Sequence, residues 1–82
     1  MANIYEQAIE KWGKDRQKNK AIEELSELIR AISKNDRENV IEECVDVGIV
    51  LHQVYEIYKV SLNEWEEMKE KKEAKFKKAL DE

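Results

Sequence analysis

The sequence predicts an all-α protein with four helices, and three features of its 82 residues indicate that fold class. The chain has no proline and only two glycines, so few residues oppose helix formation. Charged residues make up 41% of the sequence, as is typical of helices with solvated faces. Apolar residues also recur at helical spacing through the central segments. We expect a single helical domain over residues 1–82, with the two central helices packed as an antiparallel hairpin.

The first two helices are predicted from their ends and from one apolar face. The first runs from about Asn3 to Trp12 and is ended by Gly13. The second begins near Asp15, the expected N-cap, and runs to about Lys34. The apolar residues of the second helix are Ile22, Leu25, Leu28, Ile29 and Ile32. This spacing predicts a buried face with Glu24 and Glu27 at its margins.

The last two helices follow the polar break "SKNDREN". The third runs from about Arg37 to Tyr58, with Asp36 as its expected N-cap. Its apolar arc contains Val40, Cys44, Val47, Leu51 and Val54. The fourth follows a cap at Ser61 or Asn63 and has the sequence "LNEWEEMKEKKEAKFKKAL". Its expected inner margin consists of Leu62, Trp65, Met68 or Lys69, Lys72, Phe76 and Leu80.

Carboxylates interrupt the apolar arc of the third helix. Glu43 projects between Val50 and Val54, and Asp46 lies on the flank of the same arc. Burying an unpaired carboxylate costs roughly several kcal/mol, so we expect a partner that neutralises its charge. That partner is either a lysine or arginine from another helix or a metal ion.

The second helix offers a matching acidic strip. Glu24 and Glu27 are three residues apart and point the same way. Facing Glu43 and Asp46, they would enclose a cation with four carboxylates. Oxygen ligands favour Mg²⁺, with Mn²⁺ as a second possibility. A di-iron carboxylate site is excluded because the only histidine, His52, belongs to no Glu-x-x-His pair.

The Glu-Glu-x-x-Glu spacing occurs twice in this acidic chain. "EELSE" (residues 23–27) is surrounded by aliphatic residues and is followed by "ECVD" (residues 43–46), the only Glu-x-x-Asp in the chain. "EEMKE" (residues 66–70) repeats the spacing with lysines interleaved. We interpret the second occurrence as a solvated helix face stabilised by i, i+4 pairs. The first occurrence, paired with "ECVD", is the candidate site.

The paired motif EExxE…ExxD resembles that of the MazG-like, all-α nucleoside triphosphate pyrophosphohydrolases, in their short single-domain form. The resemblance implies Mg²⁺-dependent cleavage between the α- and β-phosphates, which gives a nucleoside monophosphate and pyrophosphate. By motif position it implies four metal ligands: Glu24, Glu27, Glu43 and Asp46. Glu23 matches the first glutamate of the motif. We therefore place Glu23, Glu24 and Glu27 in the catalytic group, in which a carboxylate not fully used in ligation accepts the proton of the attacking water.

Substrate contacts are predicted from residues near the acidic strips and from the lysines. The expected set is Trp12, Gln17, Lys20, Asn39, Lys69 and Lys72. The aromatic ring can stack on a base or belong to the core, and each amide can contact a base edge or cap a helix. The lysines offset the charge of a triphosphate, although the lysine-rich last helix also fits a purely solvated role.

A second apolar face of the third helix, formed by Ile41, Val45 and Ile49, predicts self-association, because one short chain cannot cover both faces. We expect a homodimer or a tetramer of paired dimers, assembled as a helical bundle, as the resemblance also implies. The alternative to an enzyme is a catalytically silent oligomerisation or regulatory module with the same bundle. Gly48 lies beside this face and would allow close approach.

Charge and composition exclude other classes of protein. The net charge of −4 argues against nucleic-acid binding, which requires a basic surface. No apolar stretch is long enough to cross a membrane. The single cysteine, Cys44, cannot form an internal disulfide, so a reducing cytoplasm is the expected compartment.

Overall fold

A computed structural model of the protein describes residues 2–82 and contains four α-helices. They are α1 (Ile4–Trp12), α2 (Lys14–Ser33), α3 (Arg37–Ile57) and α4 (Leu62–Leu80). Within this described part of the chain there is no β-strand. The predicted all-α class and the number of helices are therefore confirmed. No described helix combines the length and the apolar character needed to span a bilayer.

The break between α1 and α2 is a single glycine. Gly13 has φ 88°, a backbone conformation that side-chain-bearing residues rarely adopt, and its N–H donates to the carbonyl of Ile9. The helix α2 then begins at Lys14, without a side-chain cap. The prediction of Asp15 as N-cap is therefore wrong. Asp15 lies instead in the first turn, where a negative charge suits the helix dipole.

The other two predicted caps are present. The Asp36 carboxylate accepts a hydrogen bond from the backbone N–H of Asn39 at 3.3 Å. The Ser61 hydroxyl accepts one from the N–H of Glu64, and the Glu64 carboxylate accepts one from the N–H of Ser61, both at 3.1 Å. This reciprocal capping box fixes the first turn of α4.

The packed part of the chain consists of α1, α2 and α3. The helix α3 packs along α2, and α1 packs on both of them. The buried apolar residues are few and small: Ala21, Ala31, Val47 and Val50. Since α4 packs on none of the other three helices, it extends from this group through the turn after α3.

The structure reverses the predicted orientation of α2. Ile22 and Ile29 are 65% and 66% exposed, and Leu25 and Ile32 are exposed as well. The buried residues of α2 are instead Gln17, Ala21, Glu24 and Ala31, and Glu24 is only 7% exposed. Small alanine side chains let the two helix backbones approach each other, whereas the aliphatic face points away from α3. The sequence pattern identified the apolar face of α2 but not the face on which α3 packs.

Apolar surface also remains open on α3 and α4. Ile41, Val45 and Ile49 are exposed, in agreement with the second apolar face predicted for α3. Cys44, which was expected in the apolar arc, is exposed. A methyl group added at Gly48 would meet open space, so no close approach occurs there within one chain. The predicted inner margin of α4 is exposed along its whole length, because no other helix covers it.

Candidate active site

Three carboxylates from two helices converge where α3 crosses α2. One oxygen of each of Glu24, Glu27 and Glu43 lies within 4.8 Å of the others. Glu24 and Glu27 are one helical turn apart on α2, and α3 places Glu43 opposite them. We refer to these three side chains as the carboxylate cluster.

Two oxygens of the carboxylate cluster are buried without a hydrogen-bond partner among residues 2–82. They are Glu24 Oε2 and Glu43 Oε2. Over the same residues, no lysine or arginine nitrogen lies within 4.0 Å of Glu43. The alternative in which a basic side chain from another helix neutralises Glu43 is therefore not realised within the chain.

The environment of Glu43 disfavours its charged form. Burial raises the pKa of this carboxyl, and the negative charges of Glu27, Asp46 and Glu24 raise it further. Close contact between the Glu43 and Glu27 carboxyls contributes in the same direction, since a protonated carboxyl can donate to its neighbour. Such repulsion among like charges is what a bound cation would relieve.

Asp46, the fourth predicted ligand, does not join the other three. It is half-buried on α3, one turn beyond Glu43, and its oxygens lie outside the 4.8 Å group. Its charge nevertheless reaches Glu43 and contributes to the raised pKa of that group. Asp46 thus stands at the edge of the carboxylate cluster.

Lys20 is paired with the acidic strip of α2. Its ammonium lies 3.0 Å from Glu24 Oε1 and 4.0 Å from Glu23 Oε1. The hydrogen bond to Glu24 is the largest cause of a raised Lys20 pKa, and the charges of Glu23 and Glu24 add to it. The lysine was predicted as a phosphate contact, and in this structure it is the neighbour of a predicted ligand.

A cleft of about 400 Å³ is connected to the carboxylate cluster through Lys20, which lines the cleft and contacts Glu24. Its lining residues are Trp12, Arg16, Gln17, Asn19, Lys20 and Glu23. Three of them were predicted as substrate contacts and one as a catalytic residue. The Arg16 guanidinium lies 5.8 Å from the centre of the Trp12 ring, within cation–π range.

Sequence reasoning missed Arg16 and Asn19. The signal that could have found Arg16 is its position one helical turn before Lys20 in α2, which places these two basic side chains on the same edge of that helix. No comparable pattern marks Asn19.

Of the other predicted contacts, Gln17 lines this cleft, whereas Asn39, Lys69 and Lys72 do not. Gln17 reaches it but is 6% exposed, and its amide donates a hydrogen bond to the buried Gln53 side chain of α3. Asn39 is half-buried in the first turn of α3, one turn before Glu43. Lys69 and Lys72 are exposed on α4, which contacts none of the other helices, so one chain does not bring them to the carboxylate cluster.

The donor set fits a hard divalent cation. It consists only of carboxylate oxygens, as Mg²⁺ and Mn²⁺ prefer, and two of those oxygens are buried without a partner. The cleft adds an aromatic ring and two cations, one of which, Lys20, contacts Glu24 of the carboxylate cluster. A cation held by the carboxylate cluster would therefore border a space able to accept an aromatic, anionic ligand.

Comparison with known protein families gives one match that spans most of the chain. Residues 2–73 match the family described as PRA-PH, phosphoribosyl-ATP pyrophosphohydrolase. This family is a MazG-like, all-α relative, so the resemblance is confirmed at the level of all-α pyrophosphohydrolases and not for the narrower triphosphate family. No curated protein and no solved structure matched the chain.

Proposed function

The chain belongs to the phosphoribosyl-ATP pyrophosphohydrolase family, and we propose that it is a Mg²⁺-dependent enzyme that hydrolyses a nucleoside triphosphate group to a monophosphate and pyrophosphate. Family membership supports a pyrophosphohydrolase activity on nucleotide substrates. One observation carries the metal dependence: three carboxylates meet at the crossing of two helices, and two of their oxygens are buried without a partner. An ordinary solvated acidic face would leave no such oxygens.

The acidic residues in and around the carboxylate cluster have different roles in the proposed reaction. Glu24 and Glu43 would hold the cation through their buried oxygens, with Glu27 completing the set and Asp46 at its edge. When bound, Mg²⁺ supplies charge neutralisation at the phosphoryl oxygens and lowers the pKa of the attacking water. Glu23, which lines the cleft and remains exposed, can accept the proton of that water.

The cleft supplies the proposed contacts to the nucleotide. The Trp12 ring offers a stacking surface for the base, and the Arg16 guanidinium and Lys20 ammonium offset the phosphate charge. The family description adds phosphoribosyl-ATP as a substrate to be tested beside simple triphosphates. That molecule carries one more phosphate, so it would require further cationic contacts.

The proposed chemistry is tested by the products and by the position of the new P–O bond. We expect pyrophosphate release from at least one member of a panel of NTPs, dNTPs and phosphoribosyl-ATP, only when Mg²⁺ or Mn²⁺ is present. In ¹⁸O-labelled water the label should enter the monophosphate product. Label found only in orthophosphate would contradict attack at the α-phosphorus. No hydrolysis across the whole panel would favour the silent helical module.

We further propose that the active form is a homodimer or a tetramer of paired dimers. The support is the amount of apolar surface left open by one chain. On α3 it comprises Ile41, Val45 and Ile49, and on α2 it comprises Ile22, Leu25, Ile29 and Ile32. In such an assembly each copy would contribute α2 and α3 as an antiparallel hairpin to a helical bundle. A second copy could also bring the lysines of α4 towards the carboxylate cluster.

Replacement of Val45 or Ile49 by glutamate tests this assembly. Because each change places unpaired charge in an apolar contact, we expect the protein to dissociate or unfold. Sedimentation velocity at micromolar concentration measures the outcome. A wild-type protein that sediments as a compact monomer would contradict the proposed oligomer.

A further inference from the structure

Lys20 borders both the carboxylate cluster and the cleft. Its ammonium contacts Glu24 Oε1 at 3.0 Å, and its side chain also lines the cleft with Trp12 and Arg16. The Lys20 side chain is 49% exposed, whereas that of Glu24 is 10% exposed. Lysine also has a long, flexible stem. Of the two partners, Lys20 is therefore the one that can move.

The ammonium occupies a position in which it opposes a metal ion. Within residues 2–82, Lys20 is the one basic side chain that lies within 4.0 Å of a carboxylate of the cluster. It offsets part of the negative charge that would attract a divalent cation. A cation bound by Glu24 would in turn repel the ammonium on the same carboxylate, because two positive charges would share one small site.

The cleft offers the displaced ammonium another anionic partner. The lysine needs only to turn from Glu24 towards the open side of the cleft to meet a triphosphate bound there. Arg16 and Lys20 would then both face the phosphates. A bound triphosphate would thus favour the same lysine position that a bound metal requires.

Building on the proposed function, we propose that Lys20 is the internal counter-ion of the carboxylate cluster. It pairs with Glu24 in the metal-free protein and leaves it for the triphosphate when the metal binds. Metal and nucleotide then favour each other's binding, because both stabilise the position of Lys20 away from Glu24. This role is distinct from that of a lysine that only contacts phosphate.

Titration of the metal-free protein with Mn²⁺, in the absence of nucleotide, tests the counter-ion role. We expect Lys20→Gln to bind Mn²⁺ about tenfold more tightly than wild type, an estimate lowered for the exposure of the ammonium. Lys18→Gln is the matched control. It removes the same charge from the same helix, but Lys18 lies 5.5 Å from the centre of the Tyr58 ring and is not paired with the carboxylate cluster. Its Mn²⁺ affinity should stay near wild type.

A second titration tests the coupling between metal and nucleotide. The probe is α,β-methylene ATP, measured by calorimetry without metal and with saturating Mn²⁺. The ratio of the two affinities should be smaller for Lys20→Gln than for wild type and Lys18→Gln. Circular dichroism melts of the three proteins check that each is folded.

Two results would overturn the inference, and they are distinguishable. If Lys20→Gln binds Mn²⁺ with unchanged or weaker affinity while wild type binds it well, the counter-ion role is wrong and the proposed metal site stands. If wild-type protein does not bind Mn²⁺ at all, the proposed metal dependence fails and this inference fails with it.

Discussion

Two segments of the chain carry glutamates at identical spacing but in opposite surroundings. In α2, Glu24 and Glu27 of residues 23–27 meet Glu43 of α3, and Glu24 is 7% exposed. In α4, residues 66–70 face solvent, since no other helix packs on α4 and none of its residues is buried. The same spacing therefore gives a candidate site in one helix and an ordinary solvated surface in the other. The presence of a facing helix makes the difference.

The two segments also differ in how their charge is balanced. In α4, Lys69 pairs with Glu73 at 3.8 Å, and both side chains are more than half exposed. Such pairs are screened by water and contribute little to stability. In α2, one lysine contacts Glu24, while the opposite oxygen of that carboxylate remains buried without a partner. The acidic strip of α2 is thus left with a charge imbalance that α4 does not have.

The largest effect is expected from replacing Glu43. We expect Glu43→Gln to lower the rate of pyrophosphate release by at least about 100-fold. Loss of a residue that only orients a metal ligand costs up to about 100-fold, and Glu43 is proposed as a ligand itself. The metal-free variant should stay folded and melt at or above the wild-type temperature, because a repelled, partly buried charge is removed. Mg²⁺ should raise the melting temperature of wild type but not that of the variant.

Glu67→Gln and Glu70→Gln in α4 are the matched controls for Glu43→Gln. Both change the same chemical group on an exposed face, so activity and the Mg²⁺-dependent rise in melting temperature should be close to wild type. Retained activity in Glu43→Gln, or loss of activity only in the α4 variants, would show that the site is assigned to the wrong segment.

A smaller effect is expected on the pH dependence of the free energy of unfolding. Because the pKa of Glu43 is raised in the folded state, the folded protein holds this proton more tightly than the unfolded chain does. The resulting stabilisation is complete below the ordinary value of 4.5 and is lost as pH rises through the higher folded-state value. Metal-free wild type should therefore lose stability relative to Glu43→Gln as the pH rises from the ordinary value of 4.5 through the higher folded-state value.

Urea melts of metal-free wild type, Glu43→Gln and Glu67→Gln across this range measure the pH effect. Glu67→Gln should follow wild type at every pH. Saturating Mg²⁺ should remove the difference between wild type and Glu43→Gln that develops with pH, or reverse it. A constant difference between these two proteins would contradict a strained carboxylate at position 43.

The smallest effect is expected on α4 itself. Glu73→Gln removes the exposed pair with Lys69 and should lower helix stability by about 0.2–0.5 kcal/mol, with no change in Mn²⁺ binding. The loss should disappear at high salt, because exposed ion pairs are screened. A large loss of stability would mean that α4 is packed against another copy of the chain.

Local features of the structure could be predicted from the sequence because their causes lie within a few residues. The end of α1 at Gly13 and the caps at Asp36 and Ser61 each depend on one backbone conformation or one short hydrogen bond. The start of α2 was mispredicted because Gly13 serves both as the end of one helix and as the cap of the next.

The choice of partner for each helix face could not be read from the same pattern. The sequence marks Ile22 and Ile29 as one side of α2 but does not show that α3 packs on the side of Ala21 and Glu24. For the site, facing strips on two helices were predicted, and the structure brings Glu24, Glu27 and Glu43 together. The distance of Asp46 from them depends on how α3 crosses α2, which no periodicity encodes.

The buried amide pair between α2 and α3 affects how these two helices are aligned along each other. Gln17 and Gln53 meet each other in an interface whose buried apolar residues are only alanines and valines, which interlock less than large side chains would. A shift of α3 along α2 by one turn, about 5.4 Å, would leave both amides without their partner. Each buried amide without a partner would cost roughly 1–3 kcal/mol of stability. The same shift would separate Glu24 from Glu43. The hydrogen bond between the two glutamines therefore favours one alignment of α3 along α2. In that alignment, Glu24 and Glu43, which are distant in sequence, are neighbours.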